Sequence, residues 1–408
     1  MSASLQFEPR SESMGAVTQA LYFGSAEQQL FGWLHRPGVG KTTDIGLVIC
    51  NPFGYESICA HRSVRAFAEA AAAMGVPSLR FDYRGTGDSA DMDADTDQLG
   101  AWSRDVDAAV AELQRQTGVE RVCLLGFRMG GMLATLAARS CKDVCGLMVV
   151  APIISGRRYV REMRTLRMAA MLRSDGHQQP KPAVGENLPR EPRSLEVSGY
   201  LLSAATLAAL GKIDLGIFDE APARRVLVID SDSLPVASAW AEALTKSGVD
   251  LTYQALPGIV EMLMTAPQFA VVPKHIISAM REWLSTFAPV PSKVSDLTTS
   301  RYIGGPTELP KSVTTLPAAG DLDSAALVER AVLFGPDAIL FGIVTEPPRN
   351  ERRRRAVILL NPGVDHHVGA SRLYVSFARQ WSSRGYVVLR MDLAGIGDSM
   401  TRPGRQDD

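Results

Sequence analysis

The chain has 408 residues, 46% of them hydrophobic and 21% charged, with a formal net charge of −1. That composition builds a core and excludes wholesale disorder, and the near-neutral balance excludes nucleic-acid binding through bulk charge. No apolar run approaches the ~18 residues a membrane span needs, and the polar start MSASLQFEPRSESMG does not read as a secretory leader. The five cysteines (Cys50, Cys59, Cys123, Cys141, Cys145) contain no C-x-x-C pair. An odd, sparse set predicts a reducing, cytoplasmic location.

In chain order, residues 17–35 carry two short apolar stretches around a polar turn, which predicts an antiparallel hairpin. IGLVIC (45–50) is a continuous apolar run closed by Asn-Pro, as in a strand buried on both faces. A helix follows over 62–74, a strand over 76–82, an amphipathic helix over 97–117, a strand over 121–127 and a helix over 129–139. VCGLMVVAP (144–152), RRVLVID (224–230) and LTYQALPG (251–258) are further strands, and 274–286 is the last helix of this part. Strands alternating with helices predict an α/β fold with a mostly parallel sheet. Residues 153–212 interrupt the rhythm with a basic helical segment (Arg157, Arg158, Arg161, Arg164, Arg167) and predict a cap insertion. The Pro-, Ser-, Thr- and Gly-rich stretch 288–325 predicts a linker.

Self-comparison gives the most informative pattern. NPFGYESICAHRS (51–63) aligns with NPGVDHHVGASRL (361–373), and LRFDYRGTGDS (79–89) with LRMDLAGIGDS (389–399), at a constant offset of 310. ALYFGSAEQQLFGWLHRP (20–37) resembles AVLFGPDAILFGIVTEP (331–347). About a third of positions match across the gapless register. The chain therefore reads as a unit at 15–287, a linker at 288–325 and the opening part of a second unit at 326–408. Two or three strands and one helix do not close an α/β core. The expectation is that the second copy either continues beyond Asp408 or is a remnant.

GFRMGG (126–131) lies at a strand-to-helix junction with the glycine spacing of a nucleophile elbow. With FDYRGTGDS one βα unit earlier, this resembles the α/β-hydrolase superfamily. Within it, the serine aminopeptidase (S33)-like branch and the hydrolase-like proteins of exosortase and exopolysaccharide loci are most similar. The resemblance implies an α/β-hydrolase fold with helices on both faces of a twisted sheet, and an ester- or acyl-bond chemistry. It also implies Phe53 and Gly54 as an oxyanion loop, with Gly363 and Val364 as the matching loop of the second copy. An Arg elbow with a Pro257-Gly258-x-x-x-Met262 turn is similar to the exosortase-associated proteins.

The departures decide the function. Arg128 stands at the nucleophile position, and a guanidinium has no lone pair for a carbonyl carbon. LPGIVEMLMTAPQ (256–268) has no His where the base belongs, and His275 reads as a surface or packing residue of the last helix. The acid position survives as Asp232, with Asp230 as the alternative. Triad members act as a unit, so the first copy reads as a pseudo-hydrolase.

Two other readings stand beside it. Arg128, with Met129 at the helix N-terminus and with Arg62 and Arg84, could bind an anionic small molecule or glycan; the alternative is an ion pair of Arg128 with Asp232 or Asp82. Or the chemistry belongs to the second copy beyond Asp408. No cofactor, metal, nucleic acid or membrane span is expected. PGVGKTT (37–43) lacks the first P-loop glycine, and a strand follows it. Cys59 and His61 read as an incidental pair, and His366-His367 as part of an oxyanion-type loop. RNERRRR (349–355) and the alternating Asp91, Asp93, Asp95 and Asp97 read as solvated loops.

Overall fold

The computed structural model describes residues 17–25, 27–38, 43–174, 194–287, 313–316 and 327–402. Four residues of the P-loop-like stretch, 39–42, lie outside them, as do most of 288–325. The first unit opens with the hairpin β1 (Val17–Phe23) and β2 (Leu30–Arg36), then β3 (Ile45–Cys50), helix α1 (Tyr55–Ala73) and β4 (Ser78–Phe81). Next come α2 (Gln98–Thr117), β5 (Arg121–Phe127), α3 (Met129–Ser140) and β6 (Val144–Val150). The cap holds α4 (Gly156–Ser174), β7 (Leu195–Val197), β8 (Tyr200–Leu202) and α5 (Ala204–Leu210). The unit ends with β9 (Arg225–Ser231), α6 (Ser238–Lys246), β10 (Asp250–Leu256), α7 (Ile259–Leu263) and α8 (Lys274–Ser285).

The sheet order is β1-β2-β4-β3-β5-β6-β9-β10. β2 pairs antiparallel with β1 and β4, and every later pairing is parallel. This is the strand order of the α/β hydrolases, so the expected fold is borne out. Alternation along β5 sends Leu124 into the core under α2 and α3, and Cys123, Leu125 and Phe127 into the core under α1 and α8. Both cores draw only on residues of the first unit. The unit therefore has what it needs to fold by itself.

α1 begins at Tyr55, seven residues before the periodicity suggests. Gly54, at φ 71°, turns the loop directly into the helix. That shift places Glu56 on the helix instead of in the loop.

The second unit forms a separate sheet of order β11-β12-β13-β15-β14. Its strands are β11 (Val313–Leu316), β12 (Leu327–Phe334), β13 (Leu340–Glu346), β14 (Ala356–Leu359) and β15 (Val387–Met391), with α9 (Leu373–Ser382) between the last two. β11 adds an antiparallel edge strand inside the stretch expected to be linker. The order β12-β13-β15-β14 repeats that of β1-β2-β4-β3. The Gly-rich turns match bond for bond. Phe31 N donates to Ser89 Oγ and Phe341 N to Ser399 Oγ, both at 2.9 Å. Asp88 N donates to Asp82 Oδ2 and Asp398 N to Asp392 Oδ2, both at 3.0 Å.

Candidate functional site at the elbow

The chain turns from β5 into α3 within one residue. Arg128 sits at φ 50°, ψ −114°, a conformation of order 1–3 kcal/mol above ordinary backbone. The flanking glycines are required. A Cβ on Gly126 would lie 2.3 Å from Gly130 O, and one on Gly130 would lie 2.1 Å from Cys50 O. The nucleophile elbow is thus intact in backbone and altered in its side chain.

Arg128 is 9% exposed. Its Nε donates to Glu56 Oε1 at 2.9 Å, and its Nη2 pairs with Glu162 of the cap helix α4. Burial alone would lower its pKa; the two carboxylates outweigh burial and hold the guanidinium above its ordinary value. Burial pushes the Glu56 carboxyl up, and Arg128 pulls it partly back. Glu56 Oε2 is buried without a partner. Arg128 is therefore partnered by Glu56 and Glu162, and not by Asp232 or Asp82.

The remaining expected site residues divide. Met129 starts α3 and is buried in the core. Phe53 packs on Trp102 and Tyr200, and Tyr200 lies over Gly54, so the cap hairpin β7–β8 covers the oxyanion-type loop. Asp230 is fully buried, and its Oδ2 accepts from Val236 N, Ala237 N and Tyr253 OH. It shapes the turn after β9. Asp232 is exposed in that turn. At the base position Gly258 leads into α7, with Ile259, Met262 and Leu263 buried, and His275 is exposed on α8. Arg84 faces away from the elbow: its Nε donates to Asp105 at 2.7 Å and its Nη2 to Ala101 O. Arg62 lines a cleft of 580 Å³ between α1 and the second unit, shared with Val364. The structure does not gather Arg62, Arg84 and Arg128 into one pocket. Gly363, at φ 84°, belongs to the second unit's exposed loop, where an added Cβ would meet no atom within 4 Å.

A cavity of about 60 Å³ lies between the two units, with Asn51, His61, Asp82, His366 and Asp398 among its polar lining. His61 stacks on His366 with ring centroids 4.3 Å apart. Burial, with repulsion from His61 and His367, takes His366 down to about 3. Burial pushes Cys59 up to about 11, which removes it as a thiolate nucleophile at neutral pH. His367, Asp392 and Asp398 lie close enough to hold a metal. Both His367 nitrogens are already bonded, however: Nδ1 to Asp392 Oδ2 at 2.8 Å and Nε2 to Asp88 Oδ2 at 2.6 Å. An imidazolium clasped by two carboxylates has no lone pair for an ion. The pair His366-His367 is thus part of the contact between units. Asp91, expected in a solvated loop, is instead a partner of Arg372 and Arg379.

Asp82 carries a testable consequence. Burial, then Asp88, pushes its carboxyl up to about 6. The folded protein is therefore penalised for the charged form as pH rises from about 4 through 6. Asp82→Asn should stabilise the chain by about 3 kcal/mol at pH 8 and leave it nearly unchanged at pH 4. Urea unfolding at the two pH values measures both.

A family model described as serine aminopeptidase, S33, matches residues 57–195, about a third of the chain. No curated protein matches it. Among solved structures, Est1E of Butyrivibrio proteoclasticus, bound there to ferulic acid, is 19% identical; it covers 65% of this chain and 98% of its own, with a TM-score of 0.47. XC6422 of Xanthomonas campestris, a serine hydrolase without a lid, is 16% identical over 70% of this chain and 100% of its own, with a TM-score of 0.42. Esterase Pf2001 of Pyrococcus furiosus is 16% identical over 67% and 93%, with a TM-score of 0.42. From its strand order, its elbow and the S33 match that spans the elbow, the first unit has the α/β-hydrolase fold.

Proposed function

We propose that the first unit is a pseudo-hydrolase: an α/β-hydrolase fold retained as a binding and assembly scaffold, without Ser-His-Asp chemistry. The observation that carries this reading is Arg128 on an intact elbow, neutralised by Glu56 and Glu162. A guanidinium so partnered neither attacks a carbonyl nor has charge to spare for an anionic glycan or small molecule. The glycan-binding reading therefore ranks below a scaffold. The Arg elbow and the Pro257-Gly258-x-x-x-Met262 turn support membership of the exosortase- and exopolysaccharide-associated branch, in the cytoplasm, as a tandem of one whole and one partial hydrolase-like unit. No helix among the described residues is long and apolar enough to cross a membrane. Purified chain should not turn over p-nitrophenyl esters above the buffer rate, and Arg128→Ser should not restore turnover, because the base is missing as well. Turnover by the parent chain would refute the reading.

A second reading rests on β14. The corresponding β3 is buried along its whole length between β4 and β5, whereas Ile358 on β14 is 60% exposed and Leu360 just beyond it 53%. A free, apolar, parallel-type edge invites a further strand. A strand–elbow–helix segment in the place of β5 would complete a second hydrolase there and carry its chemistry. Reading the gene downstream of codon 408 decides this: an open frame with Gly-x-Ser-x-Gly supports it, and a stop codon overturns it.

A further inference from the structure

The contact between the two units is self-complementary. One apolar cluster joins them, made of Ala20, Phe31 and Trp33 with Ala331, Phe341 and Ile343. These are three pairs of corresponding residues. Phe31 meets its counterpart Phe341 at 6.3 Å between centroids, as residues on a two-fold axis do. Arg80 Nη2 pairs with Asp398 Oδ1 at 2.5 Å, and its counterpart Arg390 pairs with Asp88, the counterpart of Asp398. Arg65 Nη1, on α1, donates to Gly397 O and Ser399 O. Arg372, at the start of α9, donates to Gly87 O and Ser89 O. In the Phe31–Phe341 contact and the two arginine–aspartate pairs, residue i touches the counterpart of j and j touches the counterpart of i, which defines an isologous interface. Arg65 and Arg372 reach corresponding carbonyls from non-equivalent positions, since the offset matches Arg372 to Arg62 and Arg65 to Val375. The histidines depart from the symmetry, since Ser57 stands where the offset would put His367.

We propose that the face built from β1, β2, β4 and the Gly85–Ser89 turn is a homotypic docking surface, which takes a second copy of itself. In this chain the tethered second unit occupies it; when that occupant is removed, the first units of two molecules pair through the same contacts. Every group such a pair needs is present on the first unit alone. Arg80 would meet Asp88 of the other molecule twice, Arg65 would meet the Gly87 and Ser89 carbonyls, and Phe31 would lie on Phe31. This inference concerns a face remote from Arg128 and stands whether or not the elbow is catalytic.

The test uses residues 17–287, whose two cores and eight-stranded sheet are self-contained. Sedimentation should find this fragment dimeric at micromolar concentration. Arg80→Asp and Asp88→Arg fragments should each be monomeric, since each places like charges opposite one another twice. An equimolar mixture of the two should dimerise, because both reciprocal pairs re-form with reversed sign at one of them. In the full-length chain, Phe341→Asp opens the face without altering the first unit and should give dimers that Asp88→Arg abolishes. A wild-type fragment that melts cooperatively as a monomer, dimers indifferent to both charge reversals, or a monomeric Phe341→Asp chain would each overturn the proposal.

Discussion

Arg390→Met should detach the second unit from the first while leaving the first folded. Arg390 is fully buried, pairs with Asp88 across the contact, and its Nη2 reaches Glu329 at 3.2 Å. Methionine fills similar space but takes one of two cations from each of two buried carboxylates, Asp88 keeping His367 and Glu329 keeping Arg379, a loss of about 3 kcal/mol. The first unit's cores contain no residue of the second, so the loss falls on the contact and, through the Arg390–Glu329 pair, on the second unit. Hydrogen exchange should rise across β12–β15 and α9 and stay unchanged in β3, β5 and β6. Uniform destabilisation of both units would argue against a separable contact. The same network sets a pH window. Burial works against the charge of His367, but Asp392 and Asp88 overcome it and raise its pKa well above the usual value. Its contribution is complete below about 6.5 and is lost as pH climbs through the raised value. Burial would raise Asp88, Asp392 and Asp398, yet facing cations lower all three. Their contribution is complete above about 4 and is lost only as pH falls well below it. The contact should be tightest between these limits.

Arg128→Met should cost the first unit about 3 kcal/mol, because it strands Glu56 in a buried site. The cost should shrink as pH falls into the acid range. Glu56, raised by burial, then takes up a proton and no longer needs a cation. Glu56→Gln in the same chain should recover most of the loss, with a coupling of about 2 kcal/mol in a double-mutant cycle followed by denaturant unfolding. If the two changes simply add, Arg128 and Glu56 do not act as a pair and the closed elbow is wrong.

The fold was legible because its signals are local. IGLVIC and RVCLLGF are apolar without a break since both faces of β3 and β5 are buried, and GFRMGG could only be a tight strand-to-helix turn. The partners of Arg128 were not legible. Glu56 lies 72 residues away in sequence, on a helix whose first two turns read as loop, and Glu162 lies in a cap segment whose arginines dominate the pattern. An acidic residue just after the Gly54 turn was the one available signal, as helix N-termini favour carboxylates. Asp88 and Asp398 were visible as turn residues, but pairing each with the arginine 318 or 302 positions away needs the packing of the two units. Arg62 and Arg84 were grouped with Arg128 by their positions after successive strands. Side-chain direction separates them: Arg84 turns back onto α2, and Arg62 faces the second unit.

Covalent trapping tests the central claim most directly. The full-length chain is incubated with a fluorophosphonate, which labels any serine activated by a base, and its intact mass is then measured. An elbow occupied by an ion-paired arginine predicts an unchanged mass for the parent chain and for Arg128→Ser alike. A stoichiometric mass increase in the parent, mapped to the first unit and lost on unfolding, would reveal a working nucleophile and contradict the account.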